Sequence, residues 1–298
     1  MSSALVAGPC ISEFGWEICE WQGHVRKLAQ GCDKVVICSS DGHLPLYADM
    51  QPEFIPHCIA GQRDCHRMRA GSITNPGELQ RVQHMLNMAV VKLKSENYTV
   101  THITPIPAKG KAVGVRRSID QQLFVKYGDP SCVAEPYPVI IHARARPDLF
   151  NSTGDNYPKD LWEELLRLLA VEGFSKVAAI GLPAASIVPS GAADYRGIGL
   201  QSTMNLMAAA TIVVGPSSGP MHLASMCGAP HMVWATDRHQ SAIMLRNKER
   251  YEWYWNPLKT PVKVLLHKSH ELLPPKQLMA AVLELLAEQS ASELVAEW

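Results

Sequence analysis

Ser217, Ser218, Gly219 and His222 fall in a stretch, residues 212–229, that reads as an apolar strand running through Gly215-Pro216-Ser217-Ser218-Gly219 into a helix. A tight turn of this kind leaves the first N–H groups of the next helix facing whatever lies above them, and the helix dipole favours an anion there. Two serine hydroxyls can cap the helix or donate to phosphate oxygens, and His222 lies within the first turn. The set suits a diphosphate held without an acidic metal ligand. A plain packing turn is the competing reading. His142, Arg144 and Arg146 follow a second apolar strand, where a guanidinium fork could reach phosphate oxygens; ordinary surface ion pairs are the alternative. Glu13 and Glu17 follow the first strand of the chain. A carboxylate on that loop can take a proton from a hydroxyl, although either residue could equally be a helix-start or helix-face carboxylate.

Strands expected at residues 4–7, 35–38, 54–59 and 99–103, with helices at 14–29 and 76–94, make a β-α-β series in the first half. A further helix is expected over 118–127. A second series starts at residues 139–142 and continues with a helix at 159–172, a strand at 177–181, a helix at 202–210, a strand from Ile212 into its loop, a helix at 221–227 and a strand at 231–235. Strands alternating with helices favour parallel sheets, which place ligands at the carboxyl ends of their strands. The last expected helix, 275–289, has apolar positions at helical spacing and should pack on a domain surface. The expected division is 1–133, 134–270 and a C-terminal helical segment, 271–298.

Length and charge narrow the function classes. The 298 residues are 47% hydrophobic, enough for two medium domains, and 28 basic residues balance 28 acidic ones. No overall field attracts nucleic acid or an anionic membrane, so any anion site is local. The start of the chain lacks the basic-then-apolar pattern of a signal peptide, and the uncharged run over 197–236 is broken by turn residues where a membrane span needs continuous apolar helix. The eight cysteines form no Cys-x-x-Cys pair, which suits reduced thiols in a cytoplasmic protein, with peripheral contact to a membrane left open. His57-Cys58 and Cys65-His66 lack usual zinc spacing, so no metal site is expected. Arg63, Arg67 and Arg69 read as a basic loop able to meet an anionic acceptor or simply water. The cluster Tyr251 to Trp255 reads first as a cover for a core or interface and second as a stacking surface. Asp237-Arg238-His239 follow a strand and could face the same ligand.

One family carries this pattern. Met207-Ala208-Ala209-Ala210, Val213-Val214, Ser218-Gly219-Pro220-Met221-His222-Leu223-Ala224 and Gly228-Ala229-Pro230 resemble the donor-binding domain of bacterial heptosyltransferases and related GT-B glycosyltransferases. The likeness extends more weakly back to Val139 through Pro158 and Trp162. Where those proteins carry an acidic residue before Ser-Gly, this chain has Ser217. Glu13-Phe14-Gly15-Trp16-Glu17 stands where the family has a catalytic acidic residue beside glycine. The resemblance implies an α/β fold of two Rossmann-like domains facing a cleft, the GT-B type. It also implies sugar transfer from a nucleotide-diphosphate sugar, held by the second domain, to a carbohydrate or other hydroxyl acceptor held mainly by the first. The donor is a substrate, and no cofactor is expected. The chain has no Asp-x-Asp pair, which favours protein groups over a metal ion for stabilising the leaving diphosphate. Donor groups are then Ser217, Ser218, Gly219, His222, Arg144, Arg146 and His142, with Glu17 or Glu13 as base. A nucleotide-sugar-binding module without transfer activity and a sugar-nucleotide epimerase stay open as alternatives.

Overall fold

Four strands assemble the first half of the chain. In a computed structural model that describes residues 2–59, 75–105, 119–145, 155–237, 239–240, 245–268 and 271–296, β1 (Ser3–Ala7), β2 (Lys34–Ser40), β3 (Glu53–His57) and β4 (Thr99–Ile103) form one parallel sheet in the order β3-β2-β1-β4. The chain leaves β1 in one direction and returns to its other side with β4. The helix expected over 14–29 is present in three parts: α1 (Phe14–Trp16), a π turn (Glu17–Trp21) and α2 (Gln22–Ala29). α3 (Pro76–Ser95) starts where proline fits without losing a bond, and the Asn75 side chain accepts from Glu78 N at 3.2 Å as its cap. Val82, Leu86 and Leu93 of α3 pack with Val6, Val36 and Ile55 of the strands.

Residues 119–127 are not the expected helix. Only 119–121 turn once, and the chain then has no regular structure through Tyr127, because its N–H groups find partners elsewhere: Leu123 N donates to Gly23 O and Tyr127 N to Met226 O, both at 2.8 Å. Tertiary hydrogen bonds override the local pattern. The chain divides into compact units 1–124 and 125–298, not after residue 133, since Tyr127 and Asp129 bond to Met226 and Asn205 of the second unit.

The second unit is built on six parallel strands. In chain order its elements are β5 (Val139–Ile141), α4 (Lys159–Val171), β6 (Val177–Ala179), β7 (Ala192–Asp194), α5 (Leu200–Ala208), β8 (Ile212–Pro216), α6 (Gly219–Met226) and β9 (His231–Thr236). They continue with a small antiparallel ribbon of β10 (His239–Gln240) and β11 (Leu245–Arg246), then α7 (Asn247–Glu249), β12 (Val262–His267) and α8 (Pro275–Ala296). The main sheet runs β12-β9-β8-β5-β6-β7, so chain growth reverses between β5 and β8, the position where open parallel sheets bind ligands. Trp162, Leu165, Leu166 and Leu169 line the inner face of α4 at helical spacing. Tyr157, Trp162 and Trp234 meet with ring centroids 5.3 to 5.7 Å apart. Leu278, Ala281, Val282 and Leu285 of α8 join that core, and the Tyr157 hydroxyl donates to Leu273 O at 2.7 Å just before the helix. α8 is therefore integral to the second unit's core. Among the described residues no helix is long and apolar enough to cross a membrane.

Candidate functional site

β5 and β8 lie side by side in register, Ile141 beside Val214, and the residues just past their ends carry the polar groups. His142 N continues the ladder to Val214 O at 3.0 Å, while its Nδ1 meets Ser218 Oγ at 2.8 Å. Gly215 permits this approach: a Cβ there would stand 3.2 Å from His142 Cβ and 2.9 Å from Met221 Sδ. Ser217 N donates to Trp234 O at 2.8 Å, which fixes the turn to β9. Arg144 Nη1 donates to Ser217 O at 3.3 Å and lies 3.7 Å from Asp155 Oδ2. His142, Arg144, Ser217 and Ser218 are thus brought together, whereas Arg146 lies outside the described residues. Ser217, Ser218, Gly219 and Pro220 keep partial exposure, so the turn is open.

The helix opening offers fewer donors than the sequence promised. Ser218 occupies the N-cap in extended conformation, but its hydroxyl is engaged with His142 rather than with its own helix. Pro220 has no N–H, and Met221 N donates to Ser218 O at 3.1 Å. Of the first three helical residues, Gly219 alone has an amide that no hydrogen bond among the described residues engages. An anion here meets one main-chain amide, two hydroxyls and the Arg144 fork.

His222 also differs from its expected role. Its ring stacks on Tyr251 at 5.0 Å and packs against Trp255 at 4.5 Å. Burial first, then the charge of Arg250 and the neighbouring His231, depress its pKa to about 3. It is a neutral imidazole and brings no positive charge to an anion. Its Nδ1 has no hydrogen-bond partner among the described residues. Tyr251 was legible only as part of an aromatic cluster; its hydroxyl donates to Ser217 Oγ at 2.8 Å. Trp253 of that cluster is exposed instead. Arg250 covers Trp255, its guanidinium carbon 3.9 Å from the ring centre. Arg63, Arg67, Arg69, Cys65, His66 and Arg238 lie outside the described residues.

In the first unit, Glu17 opens the π turn and is fully buried. A buried carboxylate needs donors, and three converge: Ser39 Oγ and Tyr47 OH, the latter at 2.6 Å, donate to Oε1, and His43 Nδ1 meets Oε2 at 2.7 Å. A base must reach its substrate's proton, and Glu17 has no exposed atom with which to do so; its expected role as direct base is corrected on that ground. Glu13 is half-buried, at the cap position of α1, where its carbonyl accepts from Trp16 N and Glu17 N. His43, Ser39 and Tyr47 carried no motif, and only the fold gathers them. His57 Nε2 donates to Cys10 O at 2.8 Å and its Nδ1 accepts from Ile59 N at 3.2 Å, so both nitrogens are used within the fold.

No protein-family model and no curated protein matches the sequence. Solved structures do match. The chain is similar to the ADP-heptose lps heptosyltransferase II of E. coli, at 17% identity with a TM-score of 0.59 over 97% of this chain and 99% of that one. It is also similar to a glycosyl transferase family 9 protein of Veillonella parvula DSM 2008, at 11% identity and a TM-score of 0.57 over 96% and 98% of the two chains. A third match is the E. coli heptosyltransferase WaaC with ADP, at 11% identity and a TM-score of 0.55 over 95% and 99%. The chain has the α/β, heptosyltransferase-like GT-B fold, spanned almost from end to end.

Proposed function

We propose that the chain transfers a sugar from a nucleotide-diphosphate sugar to a hydroxyl acceptor. The observation that carries this reading is the junction past β5 and β8, where His142 meets Ser218 and Arg144 meets Ser217 on an open turn. That is the carboxyl edge at which the sheet reverses, and its groups suit a diphosphate. Departure of a diphosphate builds negative charge on its terminal oxygens, and donors fixed before the reaction stabilise that charge without reorganising. Arg144 supplies the charge, the Gly219 amide and the two serine hydroxyls supply oriented donors, and neutral His222 shapes the wall. The WaaC protein of similar fold is solved with ADP and with ADP-2-deoxy-2-fluoro heptose, which supports a nucleotide-sugar donor for this chain. With no Asp-x-Asp pair in the sequence, these groups do the work we assign to them without a metal ion.

A thermal-shift screen of the full chain against nucleoside diphosphates and nucleotide sugars tests the donor half of the reading. Stabilisation by at least one nucleotide sugar is expected, and its loss in Ser218→Trp with the fold intact by circular dichroism. Unchanged donor affinity in that variant removes the assignment. Incubation with labelled donor and candidate hydroxyl acceptors then tests transfer. Donor that binds but releases no nucleotide marks a binding module, and a donor inverted at a ring carbon without nucleotide release marks an epimerase.

A further inference from the structure

The ring that meets Ser218 is held from two sides. The His142 backbone is tied at both of its polar groups: its N–H donates to Val214 O and its carbonyl accepts from Arg144 N, each at 3.0 Å. The imidazole lies against two glycines, one just past β6 and one within β8. A Cβ on Gly181 would stand 3.0 Å from His142 Cδ2 and 3.1 Å from its Nε2, and one on Gly215 would stand 3.2 Å from His142 Cβ. Gly181 is itself pinned, its carbonyl accepting from Gly197 N at 2.9 Å. His142 is only 6% exposed, while Ser218 keeps partial exposure on the turn. A ligand at this turn therefore meets the hydroxyl, with the imidazole behind it.

Left to itself, Ser218 has another use for its side chain. A serine at the N-cap favours accepting, on its hydroxyl oxygen, a bond from the amide of the second or third helical residue. Pro220 has no N–H, so Met221 N is the remaining target, and it donates to Ser218 O instead. The hydroxyl makes no cap bond and is engaged at 2.8 Å by His142 Nδ1. Imidazole suits this task because it can present either an N–H or a lone pair at Nδ1. With an anion on the open side, the N–H form lets the serine proton turn outward, and a hydroxyl that accepts one hydrogen bond donates another more strongly. A free serine side chain divides itself among staggered rotamers, whereas the bond to a fixed ring selects one.

We propose that His142 is a positioning residue for the donor. With a diphosphate bound, its Nδ1–H holds Ser218 Oγ away from the α6 amides and directs the hydroxyl proton to a phosphate oxygen, while Gly181 keeps the imidazole in place. This inference rests on the glycosyl-transfer reading above, and it replaces the expectation that His142 binds the donor itself. No covalent bond forms or breaks; the hydroxyl's rotamer and the direction of its proton are what His142 sets. Every group involved belongs to the second unit, residues 125–298.

Calorimetric titration of the full chain with ADP, CDP, GDP, UDP and dTDP separates this role from a structural one, the tightest binder to the parent serving as probe throughout. His142→Leu leaves an apolar side chain between the two glycines, and affinity is expected to fall about fivefold or more as the selected rotamer and the polarisation are lost. Ser218→Ala should cost about tenfold. The double variant should be weaker than Ser218→Ala by no more than about twofold, because His142 acts through that hydroxyl. His142→Asn, which keeps an amide at the Nδ1 position, should recover most of the loss, whereas His142→Gln, whose amide falls at the Nε2 position, should not. Losses that multiply in the double variant overturn the proposal, as does His142→Leu at parental affinity, or His142→Gln binding more tightly than His142→Asn. If circular dichroism shows His142→Leu unfolded, the order of the Asn and Gln variants decides. A parent chain that binds none of these diphosphates sinks the donor reading and this inference with it, whereas multiplying losses in a parent that binds sink only the role of His142.

Discussion

Tyr251 both stacks on His222, ring to ring at 5.0 Å and 21°, and donates its hydroxyl to Ser217 Oγ at 2.8 Å. One side chain, from the π turn Arg250–Tyr254 that follows α7, therefore holds the buried wall and the open turn in a common arrangement. Tyr251→Phe should keep the stack and lose the bond. The expected cost is about 1 kcal/mol in a denaturant titration, with donor binding weakened by roughly a few-fold. Donor affinity equal to the parent's would mean that the Ser217 hydroxyl has no part in binding.

Arg144 shares its charge between Ser217 O and Asp155, whose carboxylate is 3.7 Å away. Arg144→Ala should weaken nucleotide-sugar binding about tenfold or more, the scale of a charge-assisted hydrogen bond. Asp155→Asn should change affinity in the opposite direction by removing a competing anion. Calorimetric titration of both variants checks the signs, and equal signs would contradict the electrostatic reading.

Acid should destabilise the second unit. Burial pushes His222 to about 3, helped by Arg250 and His231, and pushes His231 to about 4 against the hydrogen bond its Nδ1 makes to Ala229 O. Both groups titrate near 6.5 when unfolded. Between about 6.5 and 4 the unfolded chain takes up protons that the folded chain refuses, so stability falls as pH drops through that window. His43 has the opposite sign: its raised pKa stabilises below 6.5 and that contribution is lost as pH rises through the folded value. Urea midpoints at pH 7.5 and pH 5 should differ in the parent, and His222→Phe should narrow the difference.

Gly8 should tolerate no side chain. Its φ of +126° is a conformation that L residues avoid, and a Cβ would lie 2.4 Å from Cys38 O on the neighbouring strand. Gly8→Ala is expected to cost about 3 kcal/mol or more, combining backbone strain with a clash that only a backbone shift can relieve. A melting temperature unchanged from the parent would show that the β1 loop is softer than this geometry says.

Sequence reading reached the features that are local. The strand, Gly-Pro-Ser-Ser-Gly turn and helix at residues 212–226 lie in one continuous run, and their order alone points to an anion. The pairing of His142 with Ser218, 76 residues apart, needed the strand order, although both positions were marked as strand ends. Two strands of the six-stranded sheet escaped, as did the short β10-β11 ribbon. β7 is only Ala192-Ala193-Asp194, with no β-branched residue, and β12 is a short apolar run after Pro261 that periodicity alone does not tell from a helix. The carboxylate at residue 17 was noticed, but its burial follows from the π turn and from Ser39, Tyr47 and His43 arriving from the β2 strand and the residues after it. His222 was read as an anion ligand because its spacing was right; the aromatic walls that neutralise it come from residues 251 and 255.

The place of α8 has a consequence for synthesis. Trp162 and Trp234 are translated well before Leu278, Val282 and Leu285, which share their core. The sheet of the second unit must therefore wait on the ribosome with apolar surface uncovered until the helix emerges. Over the same interval the first unit already has all the residues of the cluster that packs α3 on its sheet, the last of them Val100. Nascent chains of this protein should accordingly need chaperone protection late in translation rather than early.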